Sequence, residues 1–162
     1  MVLRQRVYIT RWFSPAWSAA SILMVLFIWA NSLVPGAGSS AVSHAATSSL
    51  QTALEALGIG AGWVTNLLVR KAAHLAEYAV LGFLVMRAFG PAISRDRRWI
   101  ALAALALTLA PAIDETIQVC IPGRDGRLLD VLIDCTGALI GSLVSRGATA
   151  ISARFGAARK KI

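Results

Sequence analysis

Four runs of mostly apolar residues, each long enough to cross a bilayer as a helix, set the terms on which this chain can fold. Crossing hydrocarbon takes roughly 20 such residues, and a helix satisfies its own backbone there. The first run, Ala16 to Val34 ("AWSAASILMVLFIWANSLV"), carries no charge. The second, Leu67 to Phe89, is interrupted in its first half by Arg70, Lys71, His74 and Glu77. The third, Trp99 to Val119, stays apolar until Asp114. The fourth begins at Leu128 and has Asp130 and Asp134 in its first two turns.

A mean hydropathy of +0.66 with 15% charged residues is too apolar for a soluble domain of 162 residues. The expectation is an all-α, polytopic membrane protein: one antiparallel bundle of four transmembrane helices over about 16–34, 67–89, 99–119 and 128–146. Basic tails at 1–15 and 148–162 flank this 16–147 domain. A cleaved signal peptide is the alternative for the first run, since Arg4, Arg6 and Arg11 precede it. The run exceeds the usual h-region, and Trp12, Trp17 and Trp29 flank it, which favours a retained anchor.

The net charge of +8 raises the question of nucleic acid, and its distribution answers it. Lys and Arg gather in the two tails and at Arg87, Arg95, Arg97 and Arg98, whereas Asn31 to Val69 contains none. That is the positive-inside pattern of a multi-pass membrane protein with both termini in the cytoplasm. No nucleic-acid motif accompanies it, and no nucleic-acid partner is expected.

The loop between the first two runs, about Pro35 to Gly62, opens with "PGAGSS" and closes with "GIGAG". Between them Val42, Ala46, Leu50, Ala53, Leu54 and Leu57 recur at near-helical spacing, with Ser43 as cap and Gly58 as stop. This predicts a short helix on the outer membrane surface. Cys120 and Cys135 fall toward the same side, as small apolar thiols or as a disulfide pair.

The acids are concentrated. Of eight Asp and Glu, only Glu55, Glu77 and Asp96 lie outside "DETIQVCIPGRDGRLLDVLID", Asp114 to Asp134. On the expected topology, Arg70, Lys71, His74, Glu77, Asp114, Glu115, Gln118, Arg124, Arg127, Asp130 and Asp134 all reach one layer near the outer leaflet. Lys71, His74 and Tyr78 share a helix face. Asp130 and Asp134 are four apart, and Gly137 and Gly141 continue their stripe as a small-xxx-small packing signal, so the aspartates face the bundle interior. Asp134 sits roughly 10 Å below its helix start. Buried ion pairing, for example of Arg124 with Asp130, is the structural explanation of these charges. A water-reachable polar pocket accounts better for the whole set, because buried pairs seldom stabilise more than apolar packing would.

Chemically, His74 beside a carboxylate offers general acid/base work. His74 and Glu77 with the aspartates offer enough ligands for a divalent metal, although a helical His-x-x-Glu is by itself a weak signal. Lys71 and Arg124 offer an anion clamp. No Ser elbow, Walker loop or Cys nucleophile is present.

"RKAAHLAEYAVLGFL" followed by "DETIQVCIPGRDGRLLDVLIDCTGALIG" resembles the VanZ-like family of small bacterial membrane proteins. That family pairs a K-x-x-H-x-x-E-Y helix with a D-E-x-x-Q-x-x-x-P-G-R element and a D-x-x-x-D-x-x-G helix. Lys71, His74, Glu77, Tyr78, Asp114, Glu115, Gln118, Pro122, Gly123, Arg124, Asp130, Asp134 and Gly137 match, and "WANSLVP" brings Ser32 to the same layer. Cys120 and Arg127 depart from the pattern. The family takes its name from a protein associated with low-level teicoplanin resistance, so the resemblance implies an architecture and a site rather than a reaction.

The expected function is binding, with or without modification, of an anionic envelope lipid or lipid-linked glycan precursor at the outer leaflet. Arg70, Lys71, Arg124 and Arg127 would hold phosphate, with Tyr78 and Gln118 as further binding residues. His74, Glu77, Asp114, Glu115, Asp130 and Asp134 would supply acid/base groups or metal ligands. An ion- or proton-coupled transporter is the alternative, but "IALAALALTLA" and "ALIGSLV" offer no polar path onward. A non-catalytic scaffold, its charges only setting helix register, is the third reading.

Overall fold

The computed structural model describes residues 14–90, 93 and 96–159. The expected tail at 1–15, with Arg4, Arg6 and Arg11, lies almost wholly outside them, as do Arg95, Lys160 and Lys161. Five helices are present among the described residues: α1 (Pro15–Ser32), α2 (Gly36–Ala56), α3 (Asn66–Phe89), α4 (Arg97–Val119) and α5 (Leu128–Arg159). All but α2 are long and apolar enough to cross a membrane.

Their ends follow local chemistry. Pro15 opens α1, where its missing N–H is no loss. The Thr65 hydroxyl accepts from the Leu68 amide at 3.2 Å, and the Asp96 carboxylate from the Arg98 amide at 2.9 Å, capping α3 and α4. Gly90, at φ 55°, ends α3.

The burial pattern is inverted relative to a water-soluble bundle. Asp114, Asp134, Gln118 and Ser32 are buried, while Leu23, Leu26, Leu105, Leu109, Leu139 and Leu143 are exposed along the spans. Apolar side chains turned outward and polar ones turned inward suit hydrocarbon surroundings. An apolar core of Ile28, Tyr78, Leu81, Val85, Ala103, Ala110 and Ala138 fills the bundle beyond the polar layer.

Successive membrane-spanning helices are antiparallel, yet the closest pair is α3 with α5, which run parallel. The Arg87–Thr149, Gly82–Ser142 and Lys71–Asp130 hydrogen bonds join residues 62, 60 and 59 positions apart, a nearly constant offset. Small residues permit the approach, as the small-xxx-small stripe requires. A Cβ added at Gly137 or Gly141 would overlap the carbonyls of Leu75 or Ala79, and one at Gly82 the carbonyl of Ala138.

Two sequence expectations change. The loop helix α2 begins at Gly36, seven residues before the expected cap Ser43, and runs for 21 residues. Pro35 stands at its N-cap, and the Gly36 amide is bound by the Pro122 carbonyl at 3.1 Å, so "PGAGSS" starts a helix where a free turn was expected. Ser43 is buried inside α2, with Thr47, and its hydroxyl donates to the Ser40 carbonyl. Val42, Leu50 and Leu57 are exposed, on a face turned away from the bundle as an interfacial helix needs. Gly58, at φ 75°, does mark the stop. The last helix continues past the expected span end to Arg159. Cys120 and Cys135 are both free.

Candidate functional site

The parallel pairing of α3 with α5 sets His74 opposite Asp134 and Lys71 opposite Asp130. The α4–α5 connection closes the same end of the bundle. In "IPGR", Pro122 precedes Gly123 at φ 75°, and the Arg124 amide returns to the Ile121 carbonyl at 3.2 Å. This is the pattern of a type II turn, whose third position needs a positive φ. Glu115, buried at the end of α4, accepts from the Arg127 amide at 2.7 Å and ties the loop down. Gly126 lies against Glu115 closely enough that a Cβ would stand 2.6 Å from its carbonyl oxygen.

These elements enclose a cleft of about 140 Å³. Its floor is built from His74, Glu115, Gln118 and Asp134, all at least largely buried. Arg70, Lys71, Asp130, Asp125 and Arg127 form the more exposed mouth, and Leu67 and Ile133 add apolar wall. Lys71 donates to Asp130 across the mouth. Directly behind the floor lies Asp114, wholly buried.

His74 Nδ1 is 3.7 Å from Asp134 Oδ2 and 3.9 Å from Asp114 Oδ2. The three residues can present one ligand atom each within 4.8 Å of one another, so a metal would be held by this trio. Gln118 Nε2 organises the wall behind them, donating to Asp114 Oδ2 at 3.1 Å, to Ser32 Oγ at 3.4 Å and to Glu115 Oε1 at 3.4 Å. An imidazole between two buried carboxylates, open to a cleft on one side, has the parts for proton transfer or for Lewis-acid chemistry through a bound cation.

Several expected site residues take other places. Arg124 does not line the cleft: its Nε donates to the Val34 carbonyl at 2.9 Å and its Nη2 to the Asn31 carbonyl at 2.7 Å, capping the end of α1. Partial burial, and then the nearby Arg70, pull its pKa below the ordinary arginine value. The Arg124–Asp130 pair is replaced by Lys71–Asp130, because α3 and not the loop is the neighbour of α5. Tyr78 is fully buried one turn beyond His74, within the apolar core. Glu77 is half-buried on the side of α3 that meets Asn31 and stands outside the cleft. Asp125, Leu67 and Ile133 line it without having been anticipated, and the Arg127 backbone amide matters as well as its side chain. A loop acid and two apolar residues carry no sequence signal for such a role.

The family model VanZ/LLP1 matches the chain over residues 17–150. The chain belongs to the VanZ/LLP1 family. It is a VanZ-like, multi-pass membrane protein, and the matched region contains α2, α3, α4, the cleft and nearly all of α1. No curated protein and no solved structure matches the chain.

Proposed function

We propose that this VanZ/LLP1 protein sits in the bacterial cytoplasmic membrane with its cleft toward the outer leaflet and its termini in the cytoplasm. There it binds the anionic headgroup of an envelope lipid or lipid-linked glycan and offers that headgroup an acid/base site. The observation that carries the reading is the stacking of two chemistries in one cleft. Three cations, Arg70, Lys71 and Arg127, stand at the mouth above a floor of His74 and Asp134. A phosphate drawn to the mouth would meet proton-transferring groups at the floor.

Orientation is supported by charge. Arg87, Arg98 and Arg146 lie toward the end opposite the cleft, while the connection from α1 to α3 holds neither Lys nor Arg. The transporter alternative is disfavoured by what lies beyond the floor. Among the described residues, Tyr78, Leu81 and Ala138 are buried there in one apolar cluster. Should the headgroup belong to a cell-wall precursor, altered susceptibility to teicoplanin would follow.

The test is native mass spectrometry of the protein purified from membranes of mixed phospholipid, beside Lys71→Ala and Arg127→Ala. Retention of anionic over zwitterionic lipid by the wild type, reduced about tenfold in each variant, is the expected result. Equal retention of both lipid classes by folded wild-type protein would overturn the reading.

A further inference from the structure

We infer that His74, Asp114 and Asp134 form a binding site for one divalent first-row transition-metal ion of the zinc class, held by the imidazole Nδ1 and one oxygen of each carboxylate. This deepens the headgroup-binding reading and rests on it for its purpose, since the ion would face the same cleft. Metal binding itself needs no lipid, so the two can fail separately.

Geometry is the first support. The Nδ1 to Oδ2 separations of 3.7 and 3.9 Å exceed hydrogen-bond reach. With bonds of 2.0–2.2 Å, the donors around a tetrahedral zinc stand about 3.3–3.6 Å apart. Small side-chain rotations close the remaining gap.

Unsatisfied acceptors are the second and independent support. Both oxygens of Asp134, Oδ1 of Asp114 and Nδ1 of His74 are buried and have no hydrogen-bond partner among the described residues. Asp134 is 1% exposed and Asp114 0%. Buried polar atoms are nearly always satisfied, and each orphan calls for an explanation. Three carboxylate oxygens and an imidazole nitrogen left without partners in one place are what a cation would satisfy, with the unpartnered Tyr78 hydroxyl one turn beyond them.

Charge balance points the same way. Two ionised carboxylates and a neutral imidazole around a divalent ion sum to zero, in a layer where net charge is costly. An imidazolium shared between the carboxylates would leave one negative charge over and would still not reach either oxygen at hydrogen-bond distance.

The donor set then narrows the ion. Mg2+ and Ca2+ prefer all-oxygen shells, whereas an imidazole with two carboxylates suits zinc, manganese or iron. Gln118, donating to Asp114 Oδ2, is the outer hydrogen bond that orients a ligating carboxylate. Three protein ligands leave a coordination position open, and His74 and Asp134 both border the cleft. A phosphate oxygen or a water would fill that position.

The experiment uses the full-length protein in detergent, stripped with a chelator and exposed to Zn2+ or to Co2+ alone. After desalting, the wild type is expected to retain about one zinc per chain, and the cobalt form to show visible d–d absorption of four- or five-coordinate N/O ligation. Asp134→Asn and His74→Gln, each checked by circular dichroism, should lose the absorption and weaken zinc retention at least tenfold, while Lys71→Ala and Arg127→Ala keep both. A wild-type protein that is folded and retains no zinc or cobalt overturns the inference whatever the variants do. Retention that persists in folded Asp134→Asn and His74→Gln also overturns it, by placing the ion elsewhere. Retained zinc without anionic-lipid preference would leave the metal site standing and remove the headgroup reading.

Discussion

Gly141 on α5 lies against the Ala79 carbonyl on α3 with no room for a side chain between them. This contact, repeated at Gly137 on Leu75, holds the two parallel helices close enough for Lys71 to reach Asp130 and for His74 to face Asp134. The working end of the bundle depends on backbone approach in its middle.

Gly141→Leu is therefore expected to destabilise the protein by about 3 kcal/mol, since backbone and not a flexible side chain is in the way. A thermal midpoint measured in detergent reads this directly. An equal effect of Gly147→Leu on the same helix, where a Cβ would meet nothing within 4 Å, would show that the close contact is not the cause.

Opposite signs are expected from the two ends of the Lys71–Asp130 pair. Lys71→Met should weaken association with vesicles containing phosphatidylglycerol about tenfold, whereas Asp130→Asn should strengthen it several-fold by freeing the ammonium. Their side chains are 32% and 27% exposed, so the pair contributes only about 1 kcal/mol to stability. If both substitutions weakened binding alike, the pair would serve the fold of the mouth and not its charge.

Arg124 and Arg127 should separate cleanly. Arg124→Ala removes two charge-assisted hydrogen bonds, to the Asn31 carbonyl in the last turn of α1 and the Val34 carbonyl just beyond it, and should lower stability by about 1–2 kcal/mol. Arg124→Lys should fail to restore it, because one ammonium cannot reproduce the two-nitrogen fork. Arg127→Ala should leave the melting curve in place and reduce anionic-lipid retention. Equilibrium unfolding beside lipid co-purification distinguishes the two.

Glu115 binds the Arg127 amide at 2.7 Å, so Glu115→Ala should release the α4–α5 connection. Losing a hydrogen bond to a buried carboxylate is worth about 1.5–3 kcal/mol, or at least a tenfold faster hydrogen exchange at that amide. Unchanged protection of the Arg127 amide would mean that Gly126 packing alone holds the loop.

Orientation is open to thiol chemistry. Cys120, exposed at the cleft end, should be labelled in intact cells lacking an outer membrane by a membrane-impermeant maleimide, in a Cys135→Ala background. Labelling only after lysis would place the cleft on the cytoplasmic side and turn the proposed topology over.

Much of this protein is determined by sequence alone. Four long, mostly apolar stretches dictate four spans, because hydrocarbon admits no unsatisfied backbone. The spacing of Asp130, Asp134, Gly137 and Gly141 by four, three and four residues along one stripe already implies that the acids point where the helix packs closest. Those are local consequences of helical periodicity. Only the tertiary structure decided which helix meets that stripe. The parallel α3–α5 pairing joins residues about 60 positions apart, and no turn or repeat records it. It assigns Lys71 instead of Arg124 to Asp130, and draws His74, Asp134 and Asp114 into one trio while leaving Glu77 and Tyr78 outside the cleft. It also commits Arg124 to the end of α1. Periodicity tells a residue which face it occupies; packing between distant segments determines what that face meets, and here the glycines made that choice by letting two backbones touch.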